Sequence, residues 1–149
     1  MRKLLGCAAL VLAACAGAKA PAVEDLSTGQ ALSAFKLGSL RGTRDGDHLA
    51  AQAMFTDSST ILTIDMRFAV GTPTTLESGA WKWTRDNRLM TGTVAGRSVT
   101  FLGGQDGPPS IGGTFDLLGP DQAAQYRVTI PLTELKTRLR VDPRSTGHL

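Results

Sequence analysis

A chain of 149 residues, 42% hydrophobic and 19% charged, has room for one domain rather than two, and its composition excludes an intrinsically disordered chain. Its formal charge of +3 depends on Arg2 and Lys3, which belong to an apolar leader. Without them 14 basic residues face 13 acidic ones, a net of +1, and a nucleic-acid-binding role loses its electrostatic footing. Cys7 also lies in the leader, so Cys15 is the only cysteine beyond it. The domain that follows is therefore expected to fold on its hydrophobic core, with neither a disulfide nor a free thiol.

Met1-Arg2-Lys3 is a short positive stretch, and Leu4 to Ala14 is an apolar run of eleven residues. A bilayer-spanning helix needs about 20 apolar residues, so residues 1–14 read as a removable export signal. The next four residues to consider, Leu12-Ala13-Ala14-Cys15, resemble the lipobox of bacterial lipoproteins. The resemblance covers residues 1–15 alone. It implies cleavage just before Cys15, a diacylglyceryl thioether on that thiol and acylation of the new amino terminus. Two or three acyl chains hold a protein on a membrane where one binds only reversibly. Ala16, where Asp is the inner-membrane retention signal, implies the outer membrane. The alternative is ordinary cleavage after Ala18-Lys19-Ala20, which leaves Pro21 next to the cut.

Residues 15–33 are then the lipidated cysteine and a flexible tether, rich in Ala, Gly and Ser. Within it, Ser27-Thr28-Gly29-Gln30 has the form of a helix capping box, and Ala31, Leu32, Ala34 and Phe35 suit one short helical turn. From Leu37 onward the hydrophobic period becomes two, the mark of half-buried strands. Leu62, Ile64, Met66 and Phe68 alternate with polar residues; so do Trp81 and Trp83, Val99 and Phe101, Ile111 to Leu117, and Tyr126 to Leu132. Turn residues at 57–59, 71–73, 85–87, 96 and 119–121 divide these runs. The spacing predicts strands at 37–42, 49–56, 60–68, 75–84, 88–95, 97–102, 111–118 and 124–133. The expectation is an all-β domain over 34–135, a small antiparallel barrel or sandwich of about eight strands in a meander. Pro131 cannot donate to a ladder and predicts an edge in the last strand, hence incomplete closure. Residues 136–149 are expected to form a basic, frayed tail.

Chemistry is sparse. Arg44-Asp45-Gly46-Asp47-His48 gathers two carboxylates and an imidazole without the offsets of a calcium loop, and reads as a polar turn. Ser58, His48 and Asp57 supply the residue types of a nucleophilic triad, but nothing in their spacing recommends one, and no G-x-S-x-G elbow is present. The expectation is a protein without enzymatic activity, metal or cofactor. Two places suit contact with a partner. The glycine-rich stretch 103–113 reads as a long loop, with Gln105, Asp106 and Ser110 as its contact residues. Trp81 and Trp83 share a strand face, where they fill a core or line a cavity for a small apolar ligand. The functional expectation is a membrane-anchored envelope lipoprotein that binds or helps assemble a protein complex of the cell envelope, most simply at the outer membrane. The alternative is a lipocalin-like carrier of a small apolar ligand.

Overall fold

The computed structural model describes residues 22–103 and 108–137. These residues form one all-β sheet, curled into a half-barrel, and contain no helix. Two short strands, β1 (Val23–Asp25) and β2 (Gln30–Ala31), precede the meander. The long strands are β3 (Lys36–Asp45), β4 (His48–Thr56), β5 (Ile61–Ala69), β6 (Thr75–Arg85), β7 (Arg88–Leu102), β8 (Ser110–Leu118) and β9 (Ala124–Glu134), and β10 (Lys136–Thr137) ends the order. The sheet runs β10-β3-β4-β5-β6-β7-β8-β9-β1-β2, with every neighbour antiparallel except β10 on β3. A single sheet curled on itself settles the choice between barrel and sandwich.

The alternation read from the sequence becomes the inner wall. Leu62, Ile64, Met66 and Phe68 of β5, Trp81 and Trp83 of β6, Phe115 and Leu117 of β8, and Tyr126, Val128 and Ile130 of β9 are all buried. Leu132 departs from the pattern and is 49% exposed, because the register of β9 against β8 shifts between Ile130 and Thr133 and turns the alternation over. Short connections keep neighbours antiparallel. Gly46-Asp47 joins β3 to β4, and Asp86-Asn87, at φ 51° and 59°, joins β6 to β7 in the doubly positive conformation of a two-residue hairpin turn. Gly92 of β7 lets two strands approach closely. A Cβ there would collide with the Leu118 carbonyl, which accepts a 2.9 Å hydrogen bond from Trp81 Nε1.

Four expectations need correcting. The predicted strands 88–95 and 97–102 are one strand, β7, because the register against β8 shifts between Gly96 and Ser98 instead of reversing. Gly96 thus marks a bulge, which bends a strand without ending it. The segment 22–33 is no free tether. β1 pairs with β9 (Val23 opposite Val128), and Val23 is fully buried. Ser27-Thr28-Gly29-Gln30 caps no helix; it turns β1 into β2, with Asp25 Oδ1 accepting from the Ser27 N–H at 2.9 Å and Gly29 at φ 69°. Ala31 belongs to β2, and residues 32–35 make a single turn closed by the Phe35 N–H on the Leu32 carbonyl. The tail begins with order: Lys136 and Thr137 pair with Arg41 and Gly42.

Pro131 falls where β1 no longer covers β9, since β1 reaches only Tyr126 to Val128. The curl is joined across this seam by β10 and by Leu135, 2% exposed, whose methyl carbons would be 3.2 Å from a Cβ on Gly42.

Candidate functional site

The half-barrel has two ends. The β4–β5, β6–β7 and β8–β9 turns share one, and the β3–β4 turn, the β5–β6 connection and β10 share the other. At the first end lies an open cleft of about 420 Å³. Its walls are residues 31–35, the β4–β5 turn (Asp57, Ser59, Thr60) and the start of the β6–β7 turn (Arg85, Asp86), and its floor is Phe35 and Trp83.

The floor is held by directional contacts. Phe35 meets Trp83 edge-on at 5.1 Å, and Trp83 meets Tyr126 at 5.3 Å, near the separations aromatic pairs prefer. Trp83 Nε1 donates to Thr60 Oγ1 at 3.0 Å, so its one polar atom is satisfied. Above it, the Arg85 guanidinium lies 5.3 Å from the indole centroid. The wall at 57–60 is rigid for a different reason. Asp57 Oδ1 accepts the Ser59 and Thr60 backbone N–H groups, each at 2.7 Å, and these bonds hold its carboxyl below the usual carboxylate range. The cleft thus combines an aromatic base with ionic and hydroxyl groups on its rim. Such a mixture suits a polypeptide segment better than a wholly apolar ligand.

The residues anticipated from sequence are scattered. Trp83 belongs to the cleft floor. Trp81 is also 2% exposed but packs inward, edge-on to Tyr126 at 5.9 Å. Ser110 opens β8, half-buried, opposite Leu102 and Glu134 at the other end of the half-barrel. Cys15, Gln105 and Asp106 lie outside the described residues. The triad types are not brought together. His48 and Asp57 stand at opposite ends of β4, a strand whose nine residues span about 26 Å. His48 instead faces outward, its Nδ1 3.1 Å from Glu77 Oε2, which also accepts from Arg67 Nε at 3.3 Å. Among the described residues no three metal-ligating side chains cluster.

Sequence reading missed the strongest charge cluster. Asp116 lies on the outer wall of β8 yet is only 7% exposed. Arg127 Nε donates to its Oδ1 at 2.8 Å, and Arg97 Nη1 donates to its Oδ2 at 3.2 Å. Burial pushes the carboxyl upward, but hydrogen bonds from Arg127 and Arg97 outweigh it and the net displacement is downward. The available signal was the cross-strand spacing of opposite charges on polar positions. Phe35 was also missed as a site residue, since a lone aromatic after a Gly- and Ser-rich stretch carries no period.

The chain was compared with protein-family models, with curated proteins and with solved structures, and it matches none of them.

Proposed function

We propose that this protein is a lipid-anchored component of a bacterial cell envelope, which binds or helps assemble a protein complex without catalysing a reaction. The anchor is Cys15, acylated after cleavage of residues 1–14, and the outer membrane is its most consistent address. The binding face is the cleft end of the half-barrel, with the rim residues Asp57, Ser59, Arg85 and Asp86 around the buried aromatic floor.

One observation carries the reading: the inside of the curl is filled by its own side chains. Phe55, Phe68, Phe115, Leu62, Ile64 and Leu117 are fully buried, and both tryptophans are 2% exposed. Recognition is therefore left to the outer surfaces and the open cleft. A rigid β-scaffold with contact residues at the turns of one end is a common way to present a protein-binding surface.

Photo-crosslinking tests this in membranes of the producing cell. A photoreactive residue replacing Ser59 or Asp86 on the cleft rim is expected to capture discrete envelope proteins, and one replacing Ser78 on the outer wall is expected to capture fewer. Equal capture from both places would remove the cleft from the proposal. Tryptophan fluorescence gives the contrast with a small-ligand carrier, because an apolar ligand seated on Trp83 would shift its emission and a polypeptide partner at the rim would leave the buried indole nearly unchanged.

A further inference from the structure

The ladder between β6 and β7 stops halfway. It runs from Arg85 opposite Arg88 to Ala80 opposite Thr93. Beyond that point, among the described residues, Thr75 to Gly79 pair with β5 alone and Val94 to Leu102 pair with β8 alone. The two strands at first stay in contact through side chains. A Cβ on Gly79 would stand 2.8 Å from Val94 Cβ, and one on Gly96 would stand 3.2 Å from Leu76 Cβ. The bulge between Gly96 and Ser98 then bends β7. An opening of about 300 Å³ lies between Thr75 and Leu76 on one side and Gly96 to Val99 on the other. It is at the end of the half-barrel opposite the cleft, beside the β5–β6 connection.

An open strand edge is a template for another strand. The two faces of this edge state what it accepts. On the inner face Leu76, Val99 and Phe101 pack against the core and are half-buried. On the outer face Arg97 stands at the opening, its side chain 54% exposed. Its partner Asp116 also accepts from Arg127, so one carboxylate faces two guanidiniums and one positive charge is left over. Val94 to Leu102 contains no acidic residue. A second copy pairing through the same edge would bring Arg97 toward another Arg97 with no acid on either segment, and like charges across a ladder are unfavourable. An acidic strand meets the opposite condition.

We propose that the edge of β7 from Arg97 to Leu102 accepts an extended, acidic polypeptide segment by strand addition, with the apolar residues of that segment turned inward to Leu76 and Val99 and its carboxylates outward to Arg97. The site is separate from the cleft and does not depend on it.

The test uses the whole protein in detergent, with a short labelled peptide of alternating Val and Glu as the probe. Fluorescence anisotropy is expected to show binding that weakens several-fold in high salt. It should be several-fold weaker for a peptide of alternating Val and Lys, and lost when the Val amides of the probe are N-methylated. Arg97→Gln should weaken binding several-fold, and Arg97→Lys should restore most of it. When the probe binds, amide exchange should slow within 97–102 and stay unchanged at the cleft turns 57–60 and 85–87. Equal binding of the Glu and Lys peptides, or binding of neither, overturns the proposal, and so does protection at the cleft turns in place of β7. These comparisons use the unaltered protein, so they decide the matter even if Arg97→Gln, which also removes a bond to Asp116, fails to fold. Dimers in sedimentation, with exchange in 97–102 already slowed before any peptide is added, would give the edge to a second copy and overturn the acidic partner.

Discussion

At the cleft end, the half-barrel is stoppered by rings. Phe35, Trp83 and Tyr126 stack edge to face in sequence, and the Trp83 and Trp81 N–H groups each have a partner. At the β10 end the seam between β9 and β3 is held by one aliphatic side chain, Leu135, and by a two-residue parallel pairing, while the Arg44 guanidinium of β3 lies 5.7 Å from the centre of the Phe101 ring of β7. The first end is floored by rings in fixed edge-on geometry; beneath the second, Leu49, Phe68 and Ile111 are buried as well, but its seam is closed by few contacts. The difference separates two features: one end carries an open cleft over rigid rings, and the other joins the two edges of the curled sheet.

Truncation should expose this difference most sharply. Trp83→Ala removes the centre of the aromatic floor and is expected to cost about 3–5 kcal/mol, read as a large fall in thermal unfolding midpoint. A midpoint close to that of the unaltered protein would mean the floor is dispensable. At the other end, Leu135→Ala is expected to cost less, near the lower limit of the ~2–5 kcal/mol seen for buried leucines, because one face of the seam is open to relaxation. Hydrogen exchange should accelerate chiefly in β3 and the last part of β9. Faster exchange at the cleft end instead would contradict the division.

The outer wall gives a third, smaller effect. Asp116 has its carboxyl displaced downward in the folded chain. Its contribution is therefore fully present above the ordinary aspartate range, near pH 4, and is lost as pH falls through the lower folded value. Asp116→Asn is expected to cost about 1–3 kcal/mol at neutral pH and to flatten the loss of stability on acidification below about pH 4. Parallel acid unfolding curves for the two proteins would show that Arg97 and Arg127 contribute nothing through this carboxylate. Smallest of all is His48→Ala. His48 and Glu77 have side chains 47% and 35% exposed. An exposed pair of this kind contributes about 0.5 kcal/mol or less, so urea unfolding should barely move. A large change would indicate a structural role for the outward-facing imidazole.

The sequence is most readable where a strand has one wet face. Leu62 to Phe68 carry a strict period of two, and β5 keeps that alternation of burial except at Thr63, which is buried as well. Gly96 misled because a glycine in a run of β residues signals a bulge as readily as a turn, and only the pairing partner decides between them. Ser27 misled in another way. Its N–H and hydroxyl donate to Asp25 Oδ1 in a β turn, with the same kind of short bond that caps a helix, so residue type alone does not separate the two. The cleft was half visible. Trp83 could be assigned to a buried face, with Arg85 two residues further along the same strand, but Phe35 and Asp57 come from two separate connections, and no local pattern joins them to it. Asp116 looked like an ordinary outward residue of an alternating strand, because the two arginines that cover it come from neighbouring strands.

The proposed acylation of Cys15 underlies the proposed role. Its most direct test is the intact mass and amino-terminal peptide of the protein isolated from membranes of its own cell. The account predicts a chain that starts at Cys15 and carries the mass of its acyl groups. A chain that starts at Pro21 with no added lipid would contradict it.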